Sequence, residues 1–349
     1  MIQNNIFFRV DSSFNIGFGH LNRCLILAEI FKKRKIKVHF ICKNLKGNVT
    51  NKIKLRGYNL HLIKNVRNSN YEDYLNTKKI LEKFKNETCY LVIDNYHWDE
   101  KYEQKLRFLV EKIIVIDDLA NRKHDCDLII DQNLYSKFQR RYDKLIPKNC
   151  HKLLGPKYVL LRKEFLTSKK KTQINSTNKI FVSFGGQDVS NQTVKVLSAI
   201  KKSKFNYKKI NFLVNKSNTN LKDLKKISKN MKGIVISTDE KKLGKLIQNS
   251  DLCVGAGGSM TWERAYLGIP SIVSILSENQ LEITNTMGGK KCIYNMGWSK
   301  NVKILDYQKI FDRLKINELN SMSQRNKKVI DGKGISRINK MIFSKLIKL

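Results

Sequence analysis

The chain has 349 residues, of which 41% are hydrophobic, and carries a formal net charge of +38 at pH 7. That length predicts about two domains at ~150 residues each, and the apolar fraction excludes a wholly disordered, collagen-like or proline-rich chain. No apolar run approaches the ~18 residues of a membrane-spanning helix, and the first ten residues lack the pattern of a signal peptide, so we expect no membrane span.

The positive charge is spread along the chain rather than concentrated in one element. Lysine runs such as Lys169–Lys171 are short, and lysine, asparagine and isoleucine all have AT-rich codons, so genome composition is a sufficient cause. A nucleic-acid binder typically concentrates charge on one face and interleaves aromatic residues. We therefore expect no nucleic-acid partner and keep a basic nucleic-acid-binding protein as an alternative class. The positive field would attract anionic ligands such as nucleotide diphosphates.

The seven cysteines are widely spaced, odd in number and contain no C-x-x-C pair. This pattern argues against a disulfide framework or a zinc finger and fits a reducing cytoplasm. We therefore expect a cytoplasmic protein without a metal site.

The first half of the sequence alternates apolar strands with amphipathic helices. Leu21, Cys24, Leu25 and Ala28 have helical spacing and predict a helix over Leu21–Lys33. The strand-sized runs are almost continuously apolar, which is typical of parallel strands covered on both faces. The predicted strands are Ile6–Val10, Val38–Cys42, Tyr90–Ile93, Ile113–Ile116 and Leu128–Ile130, with crossover helices at Tyr71–Lys85 and Glu100–Val110.

A polar stretch, Tyr135–Lys148, is interpreted as the interdomain connection, so we place the domains at residues 1–150 and 151–349. Strands then recur at Ile180–Phe184, Ile210–Val214, Gly233–Ser237, Asp251–Gly255 and Ile272–Leu276, with helices at Gln192–Lys202, Leu221–Lys229, Glu240–Gln248 and Thr261–Leu267. The basic helical segment Ile335–Leu349 is expected to pack back on the first domain. The pattern predicts an α/β protein of two Rossmann-like domains whose parallel sheets face a cleft, with ligands at the carboxyl ends of the strands.

The first turn that could bind a ligand or take part in catalysis leads from the first strand to its helix. Gly17 and Gly19 let the backbone approach a ligand. Position 22 is Asn where the dinucleotide fingerprint has a third glycine, so no nicotinamide cofactor is expected. His20 stands at the start of the helix, where the macrodipole favours a neutral ring that can accept a proton from water. Spacing alone leaves open that His20 only caps or braces the turn.

Two further turns lie in the second half. The small residues Gly255–Gly258 and then Ser259 precede a helix, whose first N–H groups suit a diphosphate. Glu263, one turn into that helix, could accept from ribose hydroxyls, while the alternative is a turn whose glycines serve packing. Ser277–Gln280 follows a strand, and its amides suit either sugar substituents or a helix cap. Asp117-Asp118 ends another strand, where we expect the pair to brace a loop rather than bind Mg²⁺.

Several motifs occur in a fixed order: Arg9–Arg23 with Gly17-x-Gly-His-x-x-Arg23, Asp117-Asp-Leu-Ala120, Ser183-Phe-Gly-Gly186, Gly255–Ser259 with Trp262-Glu-Arg264, and Glu278-Asn-Gln280. Together they resemble the pseudaminic-acid-pathway UDP-sugar hydrolases, relatives of the MurG-like glycosyltransferases with the GT-B fold. The resemblance spans roughly residues 5–300.

The resemblance implies hydrolysis of UDP-2,4-diacetamido-2,4,6-trideoxy-β-L-altropyranose to UDP and 2,4-diacetamido-2,4,6-trideoxy-L-altrose. It makes His20 the base that activates water for inverting attack at the anomeric carbon. In this scheme backbone dipoles and basic residues neutralise the developing charge, so we expect no metal or cofactor, and we expect a monomer. The alternative is a MurG-like glycosyltransferase, in which an acceptor hydroxyl replaces water.

The resemblance also implies residues that bind the UDP-sugar. Asn279 would contact the substrate, and Glu263 would hold the uridine ribose. The diphosphate would lie against Gly257, Gly258 and Ser259, with Gly17 and Gly19 in the turn before His20. Tyr96 and Arg162 would approach the sugar or the phosphates.

Overall fold

The computed structural model describes residues 3–63, 70–185, 188–216, 218–239 and 243–347. Gly186 of the Ser183–Gly186 motif and the first residues of the predicted helix Glu240–Gln248 lie outside these ranges. The chain divides into two units, Met1–Leu160 with Lys333–Leu349, and Leu161–Gly332.

The first unit is built on a parallel sheet of seven strands. These strands are β1 (Asn4–Val10), β2 (Lys37–Lys43), β3 (Asn59–Ile63), β4 (Thr88–Asp94), β5 (Lys112–Ile116), β6 (Leu128–Asp131) and β7 (His151–Leu154). Their order is β3-β2-β1-β4-β5-β6-β7. Alternate residues of β1 enter different cores, since Ile6 and Phe8 pack on one face of the sheet and Phe7 on the other. Burial on both faces is what the continuous apolar runs predict.

The second unit has a parallel sheet of six strands. They are β8 (Lys179–Ser183), β9 (Lys209–Leu213), β10 (Ile234–Ser237), β11 (Leu252–Ala256), β12 (Ser271–Ile275) and β13 (Tyr294–Trp298). Their order is β10-β9-β8-β11-β12-β13. The five residues of β11 and of β12 are all buried, as expected at the centre of a sheet covered on both faces.

Helices lie between and after the strands, and those between parallel strands of one sheet provide the crossovers that a parallel pair needs. They are α1 (Gly19–Lys33), α2 (Asn51–Leu55), α3 (Asn70–Leu81), α4 (Glu100–Leu106), α5 (Lys163–Leu166), α6 (Gln192–Lys202), α7 (Leu221–Ser228), α8 (Leu243–Gln248), α9 (Met260–Leu267), α10 (Leu281–Gly289), α11 (Ile304–Phe311), α12 (Ile316–Val329) and α13 (Gly334–Met341). Short 3-10 turns include Glu278–Gln280, and a π-helical turn, Ile342–Leu346, follows α13. Among the described residues, no helix combines the length and the apolar character that a bilayer crossing requires.

The predicted interdomain connection is placed differently by the structure. Tyr135–Lys148 lies inside the first unit, because β7 follows it and pairs with β6 in the same sheet. The division between units comes after Leu160, ten residues beyond the predicted boundary at 150. The sequence analysis did not predict β7, because this strand has only four residues and its first two, His151 and Lys152, are polar and leave no apolar run.

Candidate active site

The chain between β1 and α1 forms a tight turn that leads into His20. The backbone N–H of Gly17 donates to the carbonyl of Ser13 at 2.9 Å, and the N–H of Ile16 donates to the Ser13 hydroxyl at 3.0 Å. Gly17 has a φ of +81°, a conformation that is unfavourable for other residues. Gly19 is the first residue of α1. Both predicted glycines therefore belong to the turn that positions His20.

His20 is held by a carboxylate from the neighbouring strand. Its Nδ1 lies 2.6 Å from Oδ1 of Asp94, the last residue of β4, and both side chains are almost fully buried. Burial favours a raised pKa for Asp94, but Arg23 and His20 outweigh burial and hold the pKa well below its usual range. An ionised carboxylate only accepts hydrogen bonds. Nδ1 of His20 therefore donates, and Nε2 keeps a lone pair that can accept a proton.

Arg23 links Asp94 to a second carboxylate. Its Nε and Nη2 donate to the two oxygens of Asp94, both at 2.6 Å, and its Nη1 donates to Oδ2 of Asp118 at 2.8 Å. Arg23 lies one turn after His20 on α1, and its Nη2 is 3.2 Å from Nδ1 of His20. Asp118 follows the end of β5 by two residues. These groups meet because β1, β4 and β5 are parallel neighbours whose carboxyl ends share one edge.

Tyr96 packs against the His20 ring. The two ring centroids are 4.6 Å apart and the planes are inclined at 80°, an edge-to-face contact. Burial and the Asp118 carboxylate, which is hydrogen-bonded to the phenol, raise the pKa of Tyr96 far above its usual value. The phenol is therefore neutral. We call His20, Arg23, Asp94, Tyr96 and Asp118 the His20 cluster.

Sequence analysis singled out His20 and Tyr96, gave no role to Arg23 or Asp94, and expected Asp118 to brace a loop, whereas its carboxylate accepts from Arg23. The signal was present, because Asp94 ends β4, which neighbours β1, and Asp118 follows β5, which neighbours β4. Carboxyl ends of adjacent parallel strands lie together, so these carboxylates were placed beside the turn that carries His20. Their pairing with Arg23 was not readable from spacing.

Asp117 braces a loop, as the sequence led us to expect. Its Oδ2 accepts from the backbone N–H of Ala120 at 2.9 Å and from the hydroxyl of Tyr142 at 2.8 Å. Asp118 points instead into the His20 cluster. Within the described ranges, no group of three or more His, Cys, Asp and Glu side chains is arranged to hold a metal ion.

In the second unit, the small-residue turn runs from β11 into α9. A Cβ on Gly255 would lie 2.3 Å from the carbonyl oxygen of Ser183, so this glycine serves packing between strands. The N–H of Gly257 donates to Oε1 of Gln280 at 3.2 Å, and the same oxygen accepts from the N–H of Leu276 at 3.0 Å. Gln280 therefore braces the turn, and the N–H of Gly257 is already used. Gly258 is less constrained, since a Cβ there would meet nothing closer than 3.9 Å.

Glu263 is paired with Arg162 on one side only. Nε of Arg162 donates to Oε1 of Glu263 at 2.7 Å, while the buried Oε2 has no hydrogen-bond partner in the part of the chain that the structure describes. Burial raises the pKa of Glu263, although Arg162 opposes that shift. Arg162 also forms an ion pair with Glu164 at 3.0 Å. An unsatisfied buried carboxylate oxygen is costly, so this atom is a candidate acceptor for a ligand hydroxyl.

Asn279 lies in the 3-10 turn after β12, half-buried, and accepts from the Ser277 hydroxyl at 2.6 Å. The predicted site residues thus form one group in each unit. The first unit holds Gly17, Gly19, His20 and Tyr96. The second holds Arg162, Gly257, Gly258, Ser259, Glu263 and Asn279.

The chain is similar to one family model and to a protein named as a UDP-sugar hydrolase. Residues 163–321 match a family model described as "Protein of unknown function (DUF354)". The chain is 31% identical over 263 residues to the UDP-2,4-diacetamido-2,4,6-trideoxy-beta-L-altropyranose hydrolase of Campylobacter jejuni subsp. jejuni serotype O:2, covering 75% of this chain and 88% of that protein.

Solved structures share the fold. MurG of Acinetobacter baumannii superposes with a TM-score of 0.67 at 12% identity, covering 97% of this chain and 99% of the other. The calicheamicin glycosyltransferase CalG4 gives a TM-score of 0.65 at 10% identity, covering 98% of each chain. The two parallel sheets with their helices are those of the GT-B fold, which confirms the predicted fold class. On the extent and identity of the Campylobacter match, this chain belongs to the family of the pseudaminic-acid-pathway UDP-sugar hydrolases.

Proposed function

We propose that this protein hydrolyses UDP-2,4-diacetamido-2,4,6-trideoxy-β-L-altropyranose to UDP and 2,4-diacetamido-2,4,6-trideoxy-L-altrose. The observation that carries the proposal is the His20–Asp94 pair, which leaves Nε2 of His20 as a proton acceptor. The 31% identity to a protein named for this reaction supports the substrate. In this proposal the enzyme acts in the cytoplasm as a monomer and supplies sugar for pseudaminic acid biosynthesis.

In the proposed reaction, Nε2 of His20 takes a proton from water as the water oxygen attacks the anomeric carbon. The bond between that carbon and the diphosphate oxygen breaks, its electron pair leaves with UDP, and the anomeric configuration inverts. Asp94 stabilises the imidazolium that forms, because it accepts from Nδ1 at 2.6 Å. General-base help of this kind contributes ~10²–10⁴ to the rate.

The proposal assigns the leaving UDP to the turn before α9. Helix-terminal N–H groups at Gly258 and Ser259 and the positive end of the helix dipole would offset the charge that develops on the diphosphate. The free Oε2 of Glu263 would accept from a ribose hydroxyl. Asn279, Tyr96 and Arg162 are assigned to the sugar and phosphates on the family resemblance.

The direct test is UDP release from the UDP-sugar alone, in water enriched in ¹⁸O and with a chelator present. We expect stoichiometric UDP and free sugar, with the label in the sugar, because water attacks carbon. Label in UDP would mean attack on phosphorus and would exclude the mechanism. The GT-B fold also favours a glycosyltransferase as the second candidate. UDP release that occurs only after an acceptor alcohol is added would support that candidate instead.

A further inference from the structure

The His20 cluster places two carboxylates around one imidazole. Asp94 contacts Nδ1 directly, and Asp118 reaches the ring through Tyr96, whose phenol is bonded to it. Negative charges close to an imidazole favour its protonated form. A second proton on His20 would occupy Nε2 and remove the lone pair that the proposed reaction uses.

Arg23 supplies the opposing charge. It donates to both carboxylates, its side chain is nine-tenths buried, and its Nη2 lies 3.2 Å from Nδ1 of His20. Burial disfavours the charged guanidinium, but Asp94 and Asp118 outweigh burial and raise the pKa of Arg23 well above its usual value. The guanidinium is thus a permanent positive charge beside the ring, and a like charge opposes protonation.

We propose that Arg23 is a positioning residue whose fixed positive charge beside the ring opposes the addition of a second proton to His20. Among the residues that the structure describes, the charged and titratable groups in contact with the ring are Asp94, Tyr96 and Arg23 itself, with Asp118 behind them. The kinetic consequence rests on the proposed function. The electrostatic effect on His20 does not depend on any substrate.

The electrostatic effect is measured by NMR on the full chain containing ¹⁵N-labelled histidine. The His20 signals are assigned by their loss in His20→Gln, and their shifts are followed against pH. Replacing Arg23 by Gln should raise the pH midpoint of His20 protonation by about one to two pH units, the range expected when one charge within ~4–6 Å is removed. An unchanged or lower midpoint would overturn the proposal.

Two further variants complete the NMR experiment. Arg107→Gln is the matched control, because Arg107 also pairs with two carboxylates, Asp125 and Asp127, but next to the amino-terminal end of β6. It should leave the His20 midpoint unchanged, and an equal rise would show a general effect of lost charge. Asp118→Asn preserves side-chain shape while removing a negative charge, and it should lower the midpoint. It tests the proposal even where Arg23→Gln does not fold, and a midpoint that stays or rises contradicts it.

Kinetics supply the second readout. The acid limb of the kcat/KM profile of Arg23→Gln should move upward by the same one to two pH units, with much of the lost rate recovered at alkaline pH. Arg23→Lys retains the charge and should restore most of the wild-type profile. A uniform loss of rate at every pH would mean a merely structural role. Absence of UDP release from the wild-type protein would refute the proposed function, while the NMR midpoints would still decide the role of Arg23.

Discussion

At the scale of single residues, the chemistry of His20 is set by the atoms to which it is bound. The ionised Asp94 fixes the proton on Nδ1, and the edge of Tyr96 packs against the ring. The ring is therefore both oriented and restricted to one tautomer. A glutamine at this position could still donate to Asp94 but could not take a proton from water.

We expect His20→Gln to lower turnover of the UDP-sugar by ~10²–10⁴, the usual contribution of a general base. UDP affinity should change little, because the proposal assigns UDP to the turn before α9. Turnover is measured by UDP release and affinity by calorimetry. His151→Gln, at the start of β7, is the control and should retain full activity. Turnover near the wild-type rate in His20→Gln would remove His20 from the mechanism.

Glu263 provides a second residue-scale prediction. Glu263→Gln retains the shape but removes the charge that the free Oε2 would offer to a ribose hydroxyl. Hydrogen bonds to charged groups contribute about 1.5–3 kcal/mol, so UDP should bind roughly 10- to 100-fold more weakly. Glu164→Gln is the matched control, because Glu164 also pairs with Arg162 but is exposed. Equal losses in both variants would mean that Arg162, not Glu263, controls UDP affinity.

Sequence patterns identify residues whose chemistry is local, and they miss residues whose role comes from a distant partner. His20 and Glu263 stand out because each follows a glycine-containing turn at the start of a helix. Asp94 is 74 positions from His20 and Asp118 is 95 positions from Arg23, so only the strand order brings them together. The brace that Gln280 provides to Gly257 is equally non-local.

At the scale of elements, the turn between β11 and α9 contains two adjacent glycines that differ in the space around them. A Cβ on Gly257 would lie 2.2 Å from Oγ1 of Thr284, whereas a Cβ on Gly258 would have open space around it. Gly257→Ala should destabilise the second unit by about 1–3 kcal/mol, the usual cost of overpacking, and should weaken UDP binding. Gly258→Ala should leave the stability unchanged. Urea unfolding and calorimetry measure both effects.

A second substitution tests the cause. Thr284→Ala removes the Oγ1 that the new methyl group would meet, and that atom has no hydrogen-bond partner among the described residues. The double variant Gly257→Ala with Thr284→Ala should therefore regain most of the stability that Gly257→Ala loses. If the double variant loses as much stability as the two single variants together, contact with Thr284 does not explain why position 257 requires a glycine.

The strands β1, β2 and β3 share a stack of rings that makes the stability of the first unit depend on pH. Phe7 and His39 stack at 4.6 Å between centroids, and Nδ1 of His39 lies 3.1 Å from Nε2 of His61. Burial, with His61 next, lowers the pKa of His39 to about 4. In the unfolded chain the pKa of this histidine has its ordinary value of ~6.5. The unfolded state therefore takes up a proton first as the pH falls below that value, and the folded protein loses stability until the pH reaches about 4.

The free energy of unfolding should therefore fall between those two pH values, by at most about 3 kcal/mol from this group. His39→Gln cannot take up a proton, and we expect its unfolding free energy to decline less over the same interval. Urea titrations of both proteins at a series of pH values measure the difference. If the free energy of unfolding falls with pH equally in both proteins, His39 does not take up a proton when the chain unfolds.

Strands at the centre of each sheet were predictable, whereas of the four edge strands only β10 was predicted and β3, β7 and β13 were missed. β1, β4 and β11 are buried on both faces and show as apolar runs. The edge strands β3 and β13 have mixed burial, because one side lacks a neighbouring strand and fewer residues need to be apolar. Their sequences contain too few apolar residues in a row to be distinguished from loops.

At the scale of the whole molecule, the end of the chain returns to the unit that contains its beginning. Residues 333–349 belong with Met1–Leu160. Ile338 and Ile342 are fully buried in the core that contains α1 and β1. The helical spacing of these apolar residues predicts an amphipathic helix, and the structure places it on the first unit, where the sequence analysis expected it.

The last segment should therefore stabilise the first unit and leave the second unaffected. Ile338→Ala should cost about 2–5 kcal/mol, as usual for truncating a buried isoleucine. Hydrogen exchange should accelerate in β1 and β2, with no change in β11 and β12, because Ile338 packs in the first-unit core. Lys340→Ala, an exposed position on the same helix, is the control and should change neither. Faster exchange in β11 and β12 of Ile338→Ala would mean that the segment stabilises both units together.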